Sequence, residues 1–219
     1  MIKSSKASLI GTIIAYTQLE ELFMKNILLT FVLLSSSIQA GVSANVSFTS
    51  DYIWRGMTQT DGPALQGGFD FESESGFYAG IWGSNVNFNN GNGQELDYYA
   101  GYGFSMGELG VDVGYIVFDY PDSSPDLKFE EIYLGFSLGD FGLTYASGQD
   151  EAPDYLEFSY SVGDFSVAYG EYDDYGENLT LGYGFACGQF DCSFGYYDFS
   201  DDGYGADEDG VFFSVSASL

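Results

Sequence analysis

Twelve short segments between Asn45 and Leu219 alternate large apolar residues with Gly, Ser, Thr or acidic residues. In residues 179–186, Leu, Leu, Tyr and Phe take one parity while Thr, Gly, Gly and Ala take the other. A period of two is typical of a β-strand, because successive side chains of a strand point to opposite faces of the sheet. The chain is therefore predicted to be all-β, with one apolar face and one small or polar face on each strand.

These segments predict a single antiparallel transmembrane β-barrel of about twelve strands. The predicted strand cores are residues 46–55, 65–73, 77–88, 95–105, 111–119, 129–138, 141–147, 155–162, 165–172, 178–187, 190–199 and 210–219. Most approach the roughly nine to eleven residues that a tilted membrane-spanning strand needs. Short turns such as Gly139-Asp140 alternate with longer, acidic connections such as residues 200–209. Outer-membrane barrels show the same alternation of connection lengths, with short periplasmic turns and longer extracellular loops.

The mid-strand carboxylates predict which face points outward. One face carries Val46, Phe48, Tyr52, Trp54, Leu96, Tyr98 and similar residues, whereas the acids lie on the other. A carboxylate placed in lipid costs on the order of a few kcal/mol, so the apolar face should contact lipid. The predicted pore-lining residues are Asp51, Arg55, Asp70, Glu72, Glu95, Asp97, Asp112, Glu131 and Glu157. Small residues on the same face, such as Gly101, Gly103 and Gly195, should leave room for water in a barrel wider than eight strands.

The composition excludes several classes of function. The net charge is −28, and Arg55 and Lys128 are the only basic residues after residue 44. Nucleic acid would be repelled, whereas small cations are natural counterparts of such a chain. There is no histidine, which excludes His-dependent triads and His-ligated zinc. We therefore predict no enzyme, no catalytic residue, no cofactor and no metal site.

Residues 1–44 are predicted to precede the mature barrel, which comprises residues 45–219. Met24-Lys25-Asn26 is followed by the apolar run 27–34 and by small residues up to Ala44, the order of a secretory signal peptide. Met24 is the expected start, and cleavage is expected after Ala44. A genuinely long leader, and cleavage after Ala40, are the alternatives.

Arg55 and the lumen acids suggest how a pore would be charged. Arg55 is either a constriction charge that orients anionic groups or, as we favour, a structural ion pair with a carboxylate such as Asp70 or Asp97. The lumen acids together predict a weak cation preference, and the alternative is a solvated polar interior without marked selectivity. The acidic run 201–209 lacks the spacing of an EF-hand. We interpret it as a solvated loop, with loose divalent bridging to lipopolysaccharide phosphates as the alternative.

Cys187 and Cys192 flank the turn Gly188-Gln189 on the apolar parity. In a two-residue turn they would be diagonal neighbours about 7–8 Å apart, which is long for a disulfide. A four-residue loop would place them opposite each other. Export leads to an oxidising compartment, so both the bonded and the free state stay open.

Three sequence runs carry a resemblance to a known family. They are Tyr52-Ile53-Trp54-Arg55-Gly56, Pro63-Ala64-Leu65-Gln66-Gly67-Gly68 and Gly80-Ile81-Trp82-Gly83-Ser84-Asn85. With these runs the chain resembles the TorF family, proteobacterial proteins long catalogued as of unknown function, to which a porin role is attributed. The resemblance implies an outer-membrane barrel with a pore role, and it supplies neither a substrate nor a catalytic residue.

The expected function is passive diffusion of small hydrophilic solutes or ions across the outer membrane of a Gram-negative bacterium. The expected partners are outer-membrane lipids, lipopolysaccharide and the permeating solutes. Two alternatives stay open. One is a non-conducting barrel with a structural or adhesive role. The other is a soluble exported β-sandwich that binds a ligand and buries the aromatic face.

Overall fold

The structure is a computed structural model, which describes residues 41–88, 93–121, 127–203 and 205–219. Twelve antiparallel strands close into a barrel, and two further strands form a separate small hairpin. The barrel strands are β1 (Gly41–Thr49), β4 (Ala64–Glu72), β5 (Phe77–Asn85), β6 (Gln94–Met106), β7 (Leu109–Asp119), β8 (Phe129–Leu138), β9 (Phe141–Gly148), β10 (Tyr155–Val162), β11 (Phe165–Tyr172), β12 (Gly176–Cys187), β13 (Phe190–Asp201) and β14 (Glu208–Ser218). The small hairpin consists of β2 (Ile53–Trp54) and β3 (Met57–Thr58). No helix in the described part of the chain is long and apolar enough to cross a membrane.

β1 closes the barrel because it pairs on both of its edges. Phe48 lies opposite Val215 of β14 and opposite Leu65 of β4. The N–H of Ala44 donates to the carbonyl of Leu219 at 3.1 Å, and the N–H of Leu219 donates back at 2.8 Å. β1 thus includes the four residues that precede the predicted mature start at Asn45. Every strand of the barrel has two neighbours, so the sheet has no free edge.

Three of the predicted hairpins have the turns that the sequence indicates. Leu138 pairs with Phe141, Val162 with Phe165 and Cys187 with Phe190, which leaves two-residue connections. The first residue of each turn is a glycine with positive φ, between 58° and 79°. Type II′ hairpins require this conformation at that position.

The predicted orientation of the two faces is confirmed for the barrel strands. Outward side chains are apolar and highly exposed, among them Phe69 (59 % exposed) and Phe158 (56 %). Glu95, Asp97 and Glu131 occupy the opposite parity and are buried. A closed sheet with an exposed apolar outer face and carboxylates inside is a transmembrane barrel. The protein is accordingly an outer-membrane β-barrel of a Gram-negative bacterium.

The first predicted strand, residues 46–55, is wrong at its C-terminal end. β1 stops at Thr49, and the chain then turns into the barrel instead of continuing along the wall. Tyr52 and Trp54, which we expected to face lipid, lie inside, where only 9 % of Tyr52 is exposed. Residues 57–64, which lie between the first two predicted strands, also fold into the barrel and contain β3.

Candidate functional site

Residues 50–63 connect β1 to β4 and fold into the barrel from the end that carries the longer connections. We call residues 50–63 the inward segment. Its Tyr52 hydroxyl donates to Oε1 of Glu95 on β6 at 3.2 Å. Its strand β3 contacts β13 and β14, which are far from β6 in the strand order. The inward segment therefore crosses the lumen and touches the wall on several sides.

The inward segment is held in shape by its own hydrogen bonds. The carboxylate of Asp51 accepts from the hydroxyls of Thr58 (2.7 Å) and Thr60 (2.9 Å). The N–H of Tyr52 donates to the Thr60 hydroxyl at 2.9 Å, and the N–H of Gln59 donates to the carbonyl of Tyr52 at 2.7 Å. We predicted Asp51 as a residue of the pore wall. It instead organises the segment, because its strand ends two residues earlier.

Arg55 occupies the tip of the small hairpin, where it and Gly56 have positive φ (48° and 80°). Its guanidinium forms two parallel bonds with the carboxylate of Glu131 on β8, each 2.8 Å long. It also stacks on the rings of Tyr155, at 3.9 Å, and Trp54, at 4.4 Å. Burial alone would lower the pKa of Arg55, but the bond to Glu131, the charge of Glu131 and the contact with Tyr172 together raise it. Arg55 is therefore charged and holds the small hairpin to the wall. Its ion-pair partner is Glu131, and not Asp70 or Asp97 as we expected.

Aromatic rings of the wall surround the inward segment. Trp54 contacts the rings of Phe118 and Phe129 at centroid distances of 5.5 and 6.0 Å. Tyr52 meets Trp82 edge-on at 5.4 Å. Such pairs stabilise a contact beyond the apolar area that they bury. The inward segment consequently packs against aromatic rings of the wall at the loop end of the lumen.

Several lumen glycines receive aromatic rings from the neighbouring strand. The ring of Tyr78 covers Gly101, and the ring of Tyr99 covers Gly80, so that a Cβ at either glycine would clash. The sequence interpretation that lumen glycines leave space for water is thus wrong for Gly101, and it is wrong for Gly195, where a Cβ would clash with the ring of Phe212. It holds better for Gly103, where the nearest atom to a Cβ would lie 4.0 Å away.

Three of the predicted pore-lining acids accept hydrogen bonds from tyrosines of the wall. The carboxylate of Asp112 accepts from the hydroxyl of Tyr78 at 2.8 and 3.0 Å. Asp70 accepts from Tyr99 and from the amide of Asn45 (3.0 Å), and Glu157 accepts from Tyr155 at 2.9 Å. Glu72 lies at the turn end of β4 and is exposed. These four acids lie on the lumen face, as their parity predicts.

Glu95 and Asp97 are the exception among the lumen acids. Only 2 % of Glu95 and 6 % of Asp97 are exposed. Oε2 of Glu95 and Oδ1 of Asp97 have no hydrogen-bond partner among the described residues. Sequence parity placed both on the inner face, but nothing in the sequence showed that the inward segment would cover them.

Two cavities lie on either side of the packed region. The first, of about 760 Å³, opens near the inward segment between Trp54, Phe129, Glu131, Tyr172 and Tyr175. The second, of about 600 Å³, lies at the turn end and is lined by small residues such as Ser166, Gly184 and Ser193 together with aromatic residues such as Phe212. Open volume thus remains both beside the inward segment and at the turn end.

The structure joins the sulfurs of Cys187 and Cys192, with 5.8 Å between their Cα atoms. The pairing of Cys187 with Phe190 makes the two cysteines diagonal neighbours. Their Cα–Cα distance is shorter than the general spacing of such pairs.

In the run 201–209, the Asp201 carboxylate accepts hydrogen bonds from the N–H groups of Gly203 (2.6 Å) and Gly205 (2.8 Å). Across the described ranges, no group of three or more acidic or cysteine side chains is arranged to hold a metal ion.

Comparison with solved structures gives matches at low sequence identity. A membrane protein from a study of in-meso crystallization matches with a TM-score of 0.53 and 12 % identity, over 81 % of this chain and 83 % of that one. The outer membrane protein opdK of Pseudomonas aeruginosa matches with 0.37 and 14 %, over 80 % of this chain and 61 % of its own. The outer membrane phospholipase of Salmonella typhi matches with 0.44 and 10 %, over 85 % and 93 %. At these identities the likeness concerns the fold alone.

Sequence comparison gives the family. No curated protein matches the chain. The model of a bacterial family of unknown function matches residues 35–204, a range that includes the inward segment, Arg55, Glu131 and all strands from β1 to β13. The chain therefore belongs to Gcw_chp, a family of bacterial proteins of unknown function.

Proposed function

We propose that this protein is a porin-like channel for passive diffusion of small hydrophilic solutes or ions, with a weak preference for cations. The single observation that carries the proposal is the lumen itself. Its inner face bears carboxylates, and at the turn end it contains a cavity of about 600 Å³ whose lining combines small residues with aromatic ones such as Phe212. A barrel that only needed to be stable would fill this space with large side chains, as narrow barrels do.

The inward segment forms the narrowest part of the proposed channel. It enters from the loop end, as its connection between β1 and β4 requires, and it is fixed by Arg55 to the wall at Glu131. Solutes would pass beside it through the cavity that Trp54, Phe129 and Tyr175 border. The resemblance to the TorF family supports a pore role. The membership in a family of unknown function supplies no solute.

The cation preference rests on charge. Asp70, Asp112 and Glu157 lie on the lumen face and accept hydrogen bonds from neutral tyrosines. Arg55 is neutralised by Glu131, and Lys128 is paired with Glu130 at 3.0 Å. Negative charge in a lumen of low dielectric walls concentrates cations and excludes anions.

Planar-bilayer recording of the refolded protein tests the proposal. Stepwise conductance is expected, and a gradient of KCl should give a reversal potential of cation-selective sign. The variant Asp70→Asn/Asp112→Asn keeps hydrogen-bond acceptors for Tyr99 and Tyr78 but removes two charges, so it should shift the reversal potential toward zero. A reversal potential of anion-selective sign in the wild-type protein contradicts the cation preference.

The second candidate is a non-conducting barrel with a structural or adhesive role. The packed aromatic contacts of the inward segment favour it, because they fill the loop end of the lumen. Absence of conductance, both in the wild-type protein and in a variant with a loosened inward segment, would establish this candidate and contradict the channel.

A further inference from the structure

Glu95 and Asp97 form a buried pair of carboxylates that lies between the wall and the inward segment. They are two residues apart on β6, so both side chains point to the same face, and their Cα atoms are about 6–7 Å apart along the strand. Their exposed fractions are 2 % and 6 %. Oε2 of Glu95 and Oδ1 of Asp97 have no hydrogen-bond partner within the described part of the chain.

No basic residue of the barrel neutralises this pair. After residue 44 the sequence contains only Arg55 and Lys128 as basic residues and no histidine. Arg55 binds Glu131, and Lys128 contacts Glu130. The cross-strand neighbours of the pair are Ser84 for Glu95, and Trp82 and Phe118 for Asp97. A buried carboxylate without a counter-charge is strongly unfavourable, and the bond that Glu95 accepts from Tyr52 satisfies only one of its two oxygens.

We propose that Glu95 and Asp97 are the protein ligands of a single hard divalent cation, of which Ca²⁺ is the representative, held between β6 and the inward segment. Two carboxylates supply two negative charges, which one divalent ion balances. Ca²⁺ prefers carboxylate oxygens at about 2.3–2.6 Å and tolerates an irregular set of ligands completed by water. The pair lies at the loop end of the barrel, where the external medium supplies the ion.

The ion links the barrel wall to the inward segment. Oε1 of Glu95 accepts a hydrogen bond from the Tyr52 hydroxyl at 3.2 Å, so an ion on Oε2 fixes the carboxylate that Tyr52 uses. The site does not depend on whether the barrel conducts.

Terbium luminescence tests the site directly. Tb³⁺ replaces Ca²⁺ in oxygen sites and emits when an excited aromatic ring is close. Trp82 lies opposite Asp97 and 5.4 Å from the ring of Tyr52. The protein is refolded with Tb³⁺, and emission is excited through its aromatic rings. Saturable emission that Ca²⁺ competes away is expected for the wild type.

Two variants decide the result. Glu95→Gln/Asp97→Asn should lose most of the emission, because amides keep the shape but not the charge. Asp112→Asn, a lumen acid whose carboxylate is satisfied by Tyr78, should keep it. Equal emission from the wild type and the double variant would assign Tb³⁺ to the acidic loops and overturn the proposal. No saturable emission from the wild type would overturn it as well.

A stability measurement distinguishes loss of the ion site from misfolding of the variant. Heat-modifiable mobility in gels gives the temperature at which the barrel unfolds. Millimolar Ca²⁺ should raise this temperature for the wild type but not for the double variant. In a chelator, the double variant should be at least as stable as the wild type, because it no longer buries two unpaired charges. If neither Ca²⁺ nor the chelator changes the unfolding temperature of the wild-type barrel, the proposed site is contradicted.

Discussion

The contact between Arg55 and Glu131 shows how a single residue can hold a segment inside a barrel. Both bonds of the pair are 2.8 Å long, and the guanidinium also stacks on Tyr155. Lysine lacks the planar fork that makes two parallel bonds and stacks on a ring. The energetic importance of such a pair lies mainly in what its disruption leaves behind, which is a buried carboxylate without a partner.

We predict that Arg55→Met lowers the free energy of unfolding by about 3–5 kcal/mol, the effect of breaking one side of a buried pair. Arg55→Met/Glu131→Leu should regain most of that loss, because it removes the stranded charge together with its partner. Denaturant unfolding of the barrel in lipid vesicles measures both values. Additive losses from the two substitutions would show that the residues do not act as a pair.

At the scale of the element, the sequence predicts the strands well where alternation coincides with pairing. The predicted bounds 155–162 and 165–172 are those of β10 and β11. The alternation also continues through Tyr52 and Trp54, which are not in the wall. Parity shows which side chains share a face, but it does not show whether a neighbouring strand pairs with that backbone.

The partners of the site residues could not be predicted for a related reason. Arg55 and Glu131 are 76 residues apart, and the sequence indicates only that a lone arginine among many acids should find one of them. Glu95 and Asp97 looked like ordinary lumen acids. They are buried because the inward segment covers them, and that requires knowledge of where residues 50–63 go.

Gly56 determines how closely the inward segment approaches the wall. A Cβ at Gly56 would lie 2.6 Å from Cβ of Asn178 and 2.9 Å from the carbonyl oxygen of Asp198. We predict that Gly56→Ala pushes the small hairpin away from β12 and β13. Single-channel recording should therefore show a larger conductance and more frequent transitions between levels than in the wild type.

Gly107→Ala is the matched control for this substitution. Gly107 also has positive φ (67°), but a Cβ there would have no neighbour within 4 Å. Both variants carry the cost of alanine in a left-handed conformation, about 1–2 kcal/mol. Only Gly56→Ala should change the conductance. A change of the same size in both variants would mean that backbone strain, not the displaced hairpin, is responsible.

At the scale of the whole molecule, the distribution of charge matters more than any single acid. The net charge is −28, and the acids are found in the connections, on the lumen face and at the strand ends. The outer surface between them is apolar. Charge that is spread in this way acts on permeating ions through a diffuse field, whose range the surrounding salt determines.

We predict that the cation preference weakens steeply with ionic strength. The screening length is about 10 Å in 0.1 M salt and about 3 Å in 1 M salt, so a field from scattered acids reaches the lumen axis only in dilute solution. Reversal potentials at a constant KCl ratio, recorded at rising absolute concentration, measure the change. The ratio of K⁺ to Cl⁻ permeability should fall toward unity in molar KCl. A ratio that stays constant would place the selectivity in direct contacts between permeating cations and carboxylates of the lumen, and would contradict a diffuse field.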